Sequence, residues 1–146
     1  MRKPFIAANW KMNLTQEKAE RFVDVFCGKF SVFPNKQVEV AICPPFVYLM
    51  SVAHRVKKQN AECGLDIKVG AQNMHWEKEG AFTGEISANM LVESGCAYVI
   101  LGHSERREKF GETDEKISKK AAAAFSNGLL PIICVGETLA DRKSVV

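Results

Sequence analysis

At 146 residues and 47% hydrophobic content, the chain can bury one real core, so a single domain is expected. A net charge of +3, with lysines scattered among acids, is too small to argue for a nucleic-acid partner. Five cysteines (Cys27, Cys43, Cys63, Cys96, Cys134) without a CxxC pair read as reduced thiols rather than a disulfide frame or a zinc site.

The first element is a short apolar run, FIAA (5–8), read as a strand. After Thr15, an N-cap residue, Ala19, Phe22, Val23, Phe26 and Phe30 recur at helical spacing and form one apolar stripe. VEVAIC (38–43) is the second strand; Pro44-Pro45 ends it and starts a helix through FVYLMSVAHRV. IKVGA (67–71) is the third strand. It runs into AQNMHWEKEGAFTGE (71–85), too long and too glycine-marked for an ordinary strand-to-helix connection. AYVIL (97–101) is the fourth strand, followed directly by GHSERREKFGETDEK. In 114–127, Asp114 and Glu115 open a helix on which Ile117, Ala121, Ala124 and Phe125 face one way, and Asn127-Gly128 stops it. LPIICV (130–135) is the fifth strand.

Strand starts at 5, 38, 67, 97 and 130 give a period near thirty, the mark of repeated βαβ units and a parallel sheet. Two architectures fit: an open doubly wound sheet or a (β/α)₈ barrel. A dinucleotide-binding sheet would carry GxGxxG after its first strand, where NWKMN stands. A barrel of eight units needs ~250 residues. The barrel reading is therefore an incomplete one: an α/β partial-barrel domain over 1–146, with parallel strands 1–5 and intervening helices.

Ligands of parallel α/β sheets sit at the carboxyl ends of the strands. Asn9 and Lys11, then His103, Ser104 and Glu105, then Gly136 and Glu137 would share that rim. Singly, each is weak evidence. A lysine after a strand is usually a solvated loop residue, and His54 and His75 read as satisfied or surface histidines. GHSER has Arg106 where the GxSxG nucleophile elbow needs its second glycine, which sets aside Ser104 as a nucleophile. No GxxxxGK[ST] occurs. No apolar run approaches the ~18 residues of a membrane span. The apolar segment of MRKPFIAANWK is too short for a signal peptide, so a cytoplasmic location is expected.

Together the motifs are specific. NWKMN (9–13), AQN (71–73), GAFTGE (80–85), GHSERR (102–107), GETDE (111–115) and CVGET (134–138) occur in this order. The chain from Phe5 to about Lys143 resembles the triosephosphate isomerase family. The resemblance implies the (β/α)₈ TIM barrel, no metal or other cofactor, and a small phosphorylated triose as substrate. It implies that dihydroxyacetone phosphate and glyceraldehyde 3-phosphate are interconverted through an enediol or enediolate. His103 matches the electrophile that polarises the substrate oxygen; its neutral imidazole is the family's established chemistry, not a reading of this sequence. Lys11 matches the active-site cation and Asn9 the neighbouring amide donor. Glu105 matches a carboxylate near the lysine, an orienting partner rather than the base. The family is homodimeric, and Thr83 matches the loop tip that approaches the neighbouring subunit's site. Gln72 and Glu112 match positions near that contact, and Met74, Trp76 and Phe82 would give the loop an apolar interface.

The departure from the family lies at the end. Its general base is a glutamate after the sixth strand, in a motif beginning AYEP, and these residues do not contain it. The closing loop and the glycine-rich phosphate-binding turns are likewise missing. The expectation is an isomerase by family whose 146 residues alone are inactive. The alternative is a non-catalytic half-barrel that associates with a full-length subunit.

Overall fold

The computed structural model describes residues 3–32, 37–137 and 142–143. Five parallel strands, β1 (Phe5–Asn9), β2 (Glu39–Cys43), β3 (Lys68–Ala71), β4 (Tyr98–Leu101) and β5 (Leu130–Ile133), lie in sequence order in a five-stranded sheet. Helices α1 (Gln16–Val32), α2 (Leu49–Cys63), α3 (Ala88–Glu93), α4 (Ser104–Phe110) and α5 (Asp114–Ser126) intervene. Every apolar run read as a strand forms one. The sheet is curled: the rings of Phe5 and Tyr98, three strands apart, meet with centroids 4.7 Å apart. This is an incomplete (β/α)₈ barrel.

The alternation of a pleated strand divides the sheet's two faces. Val40, Ile42, Val69, Val99 and Leu101 join the core formed with the helices. There they meet Ala19, Val23 and Cys27 of α1, Leu49, Val52 and Val56 of α2, and Ile117 and Ala124 of α5. The residues between them face the concave side. Gly70, opposite Tyr98 in the register, is needed there because a Cβ would lie 2.8 Å from Cys43 Sγ and 3.1 Å from Tyr98 Cβ.

Local chemistry sets the element ends. Thr15 caps α1, its hydroxyl accepting from Lys18 N at 3.5 Å and its carbonyl from Ala19 N at 2.9 Å. Phe46–Tyr48 after the prolines form a 3₁₀ turn, and α2 continues past the expected HRV to Cys63. It stops at Gly64, which has φ 65° and donates its N–H to Asn60 O. The Asn60 side chain then binds both polar groups of Ile67, at 2.8 and 3.1 Å, and so aims the chain into β3. Across the helix pair, Arg55 Nε donates to Asp24 Oδ1 at 2.6 Å.

Three expectations need correction. Phe125 is exposed rather than on the buried stripe of α5; the third buried position is Lys120. Met74 lies in the core, 1% exposed, and is unavailable for an interface. On α1 the buried line is Ala19–Val23–Cys27, while Phe22, Phe26 and Phe30 stack as a ladder beside it with centroids 5.7 Å apart. α3 is not anticipated by periodicity, because six residues hold too few turns to display a stripe.

Candidate active site

The carboxyl end of β1 delivers the first group. Trp10 N donates to Cys43 O at 3.1 Å, extending the ladder one residue beyond Asn9. The chain then turns sharply at Lys11, whose φ of 54° is a left-handed conformation uncommon for a side-chain-bearing residue. Two bonds hold it there. Asn9 Oδ1 accepts from Lys11 N at 2.9 Å, and Gln72 Nε2 donates to Lys11 O at 2.9 Å. Gln72 Nε2 also lies 2.9 Å from Cys43 O, so the residue just after β3 ties the ends of β1 and β2 together. With its oxygen engaged, Asn9 keeps Nδ2 as a donor.

Lys11 Nζ meets Glu105 Oε1 at 2.7 Å, across a separation of 94 residues. The two side chains are 51% and 40% exposed, so the pair contributes little stability. Its effect is orientation. The hydrogen bond from Lys11 holds the Glu105 carboxyl below its usual range, and burial opposes this with a smaller rise. A carboxylate so held is a poor proton acceptor near neutrality.

His103 follows Gly102 at the end of β4 and caps α4. Its carbonyl accepts from Arg106 N at 2.8 Å and Arg107 N at 3.1 Å, and its Nδ1 accepts from Glu105 N at 3.3 Å. Glu105 Oε2 lies 3.6 Å from the same Nδ1, too far for a hydrogen bond. With Nδ1 used as an acceptor, a neutral ring carries its proton on Nε2. The rim thus assembles an ammonium, an amide donor and an imidazole N–H.

Behind the imidazole sits a buried charged network. Glu112 Oε2 accepts from Gly102 N at 3.2 Å, and its other oxygen contacts Arg106 Nε at 3.4 Å and the ammonium of Lys120. Lys120 Nζ also donates to Asn73 Oδ1 at 2.8 Å. Burial pushes the Glu112 carboxyl up, and Lys120 with Arg106 more than offsets it, leaving it below its ordinary value. Lys120 and Arg107 are residues the sequence reading does not single out. Helical spacing held one signal: Lys120 falls between Ile117 and Ala124, a charge on an apolar stripe.

The remaining candidates lie farther out. Thr83 and Gly84 form an exposed turn closed by Glu85 N to Phe82 O at 2.9 Å. His75 stacks between Trp76 and Phe82, at 4.1 and 4.4 Å, and so holds the loop together. His54 is exposed. Gly136 and Glu137 are exposed beyond β5, where Glu137 pairs with Arg142 at 2.6 Å. Gln72 and Glu112 spend the bonds described above within the chain. Among the described residues no helix is long and apolar enough to cross a membrane.

A family model of triosephosphate isomerase matches residues 4–145. The chain is 54% identical over 143 residues to a triosephosphate isomerase of Carboxydothermus hydrogenoformans, covering 98% of this chain and 54% of that protein. It is 52% identical over 145 residues to one of Acetivibrio thermocellus and 49% over 144 residues to one of Moorella thermoacetica, covering 99% of this chain and 54% of each relative. The chain therefore spans about half the length of the curated relatives it matches.

Proposed function

The chain belongs to the triosephosphate isomerase family, and on that premise we propose that it supplies the electrophilic side of triose-phosphate isomerisation, in glycolysis and gluconeogenesis. The reaction moves a carbonyl between adjacent carbons. A base removes a proton from carbon, and negative charge builds on the carbonyl oxygen. That oxygen requires donors already in place, because reorganising water in the transition state would raise the barrier. His103 Nε2 is the electrophilic donor, Lys11 Nζ the compensating cation, and Asn9 Nδ2 a further donor. Glu105 orients Lys11. The observation that carries this reading is the joint placement of Lys11 and His103 through Glu105, whose carboxylate holds one and whose backbone N–H fixes the ring of the other.

The proton-abstracting base lies outside this set. Glu105 is committed to Lys11, Glu112 to Lys120, and Glu137 to Arg142. The 146-residue chain by itself is accordingly inactive. The substrate is a small phosphorylated triose, the location is cytoplasmic, and the complete enzyme is a homodimer in which the Thr83 turn, with Gln72 and Glu112 near the contact, approaches a second subunit. A second reading, a non-catalytic half-barrel that pairs with a full-length subunit, is favoured by the exposed apolar residues at both sheet edges, Ile6 on β1 and Leu130 on β5.

The test compares the purified chain with a joined enzyme, in which residues 1–146 precede the remaining part of the Acetivibrio thermocellus relative. The chain should show no turnover above background and the joined enzyme should isomerise. His103→Ala should lower the joined enzyme's kcat by about 10²–10⁴-fold, the range for a positioned proton-transfer group. Turnover by the short chain that survives His103→Ala would overturn the assignment.

A further inference from the structure

We propose that Arg107 is a positioning residue that sets the orientation of the His103 imidazole. The inference rests on reading His103 as the electrophile, although its geometry stands without that reading. Arg107 Nε donates to Gly102 O at 2.8 Å. That carbonyl belongs to the peptide group that enters His103, so fixing its direction constrains the backbone rotation that aims the His103 side chain. The N–H of Gly102 is fixed from the other side by Glu112 Oε2 at 3.2 Å.

The turn is also packed against the guanidinium. Gly102 has φ 70°, and a Cβ there would lie 2.8 Å from Ile117 Cδ1 and 3.0 Å from Arg107 Nη2. Glycine at 102 is what lets the Arg107 guanidinium approach the turn this closely. The same planar group reaches two further elements. Nη1 donates to Asp114 Oδ1 at 2.6 Å, at the first residue of α5, and Nη2 approaches Cys134 O at 3.5 Å, just beyond β5. One rigid fork thus ties the ends of β4 and β5 and the start of α5. A lysine ammonium, a point donor on a flexible stem, cannot span those three directions. The Asp114 carboxylate is 85% exposed at its side chain, so the ion pair alone gives no reason for the arrangement.

The experiment uses the joined enzyme labelled with ¹⁵N-histidine, the His54, His75 and His103 resonances being assigned by substitution and the first two serving as internal controls. In the parent, ring ¹⁵N spectra at neutral pH should show His103 as the Nε2–H tautomer with Nδ1 accepting. Arg107→Lys should mix the two tautomers at His103 while His54 and His75 keep their resonances. Asp114→Asn, which frees one tine of the fork and leaves the turn untouched, should move His103 the same way by less. If Arg107→Lys disturbs all three histidines, the Asp114→Asn spectrum decides, and an unmoved His103 there overturns the proposal. An unchanged His103 in Arg107→Lys overturns it directly. No substrate is involved, so this result is separate from the isomerase test. In the joined enzyme Arg107→Lys should reduce kcat with KM nearly unchanged, by at most on the order of a hundredfold, the cost of a misplacement near 1 Å. A KM effect alone would also overturn it.

Discussion

Lys120→Met removes the cation from the network behind His103 and keeps the volume of the side chain. Lys120 and Glu112 side chains are 6% and 2% exposed, so the carboxylate left behind cannot recruit bulk water. Breaking a buried pair by removing one partner costs ~3–5 kcal/mol. The lower end applies here, because Arg106 Nε at 3.4 Å and Gly102 N at 3.2 Å still face Glu112. Against a typical domain stability of ~5–15 kcal/mol, that loss is a large fraction. Replacing both partners, Lys120→Met with Glu112→Gln, should recover most of it. The pH dependence has a definite sign. In the parent, the lowered Glu112 carboxyl contributes stability above the ordinary carboxylate range, lost as pH falls through its folded value. In Lys120→Met burial dominates and the folded value rises above the unfolded one. Its contribution is then present in acid and lost as pH rises. The gap between parent and variant should therefore narrow from pH 7 to pH 4.5. Urea unfolding of the joined enzyme at both pH values is the assay. A loss under about 1 kcal/mol at pH 7, small against the range for a broken buried pair, or a gap that does not narrow in acid, would refute the reasoning.

Lys11→Met should raise the Glu105 carboxyl towards its ordinary range, read by ¹³C titration; in the parent the contribution of the pair is lost as pH falls through the lowered Glu105 value. Burial pushes Cys43 and Cys96 up to about 12 and Cys27 to about 11, so alkylation of the joined enzyme at pH 8 should mark Cys63 well before these three unless urea is added. Peptide mapping checks it, and labelling of Cys43 in the folded joined enzyme would contradict the core assignment. The isolated 146-residue chain should self-associate, bind the dye ANS and melt without a sharp transition, because Ile6, Leu130 and Ile133 are about half exposed at the sheet edges. A compact monomer in sedimentation with cooperative melting would contradict this.

The strands were legible because each is a short apolar run at a regular spacing, and the parallel order follows from the period alone. The rim residues were legible because a strand's carboxyl end is where such sheets place ligands. Other features required the third dimension. Phe125 falls on the apolar side of a helical wheel, yet the stripe that reaches the sheet is narrower and takes Lys120 instead, since Glu112 waits there to pair with it. Met74 belongs by sequence to a protruding loop, but Ala71, Asn73 and Met74 are still buried and the excursion begins after them. The left-handed turn at Lys11 is held in part by Gln72, which reaches the ends of β1 and β2 across the strand order, and no local pattern encodes that contact.

The rim that carries Lys11, Glu105 and His103 is ordered from within the described residues. Lys11 is held by Asn9 on its own strand end, by Gln72 from β3 and by Glu105 from α4. His103 is held by Glu105 on its own helix, and its turn by Glu112 before α5 and Arg107 in α4. Three of these holders are themselves anchored: Gln72 on Cys43 O, Glu112 on Lys120, Arg107 on Asp114 and Cys134 O. A donor set supported at this depth loses little freedom when charge develops on the substrate, which is the condition for electrostatic preorganisation. The base has the opposite requirement, since it must accept a proton at neutral pH, and no carboxylate in this set is free of a cation. On the proposed reading, electrophile and base are separable parts of one reaction, and joining the remaining part of a relative should give turnover without rebuilding the Lys11–Glu105–His103 geometry.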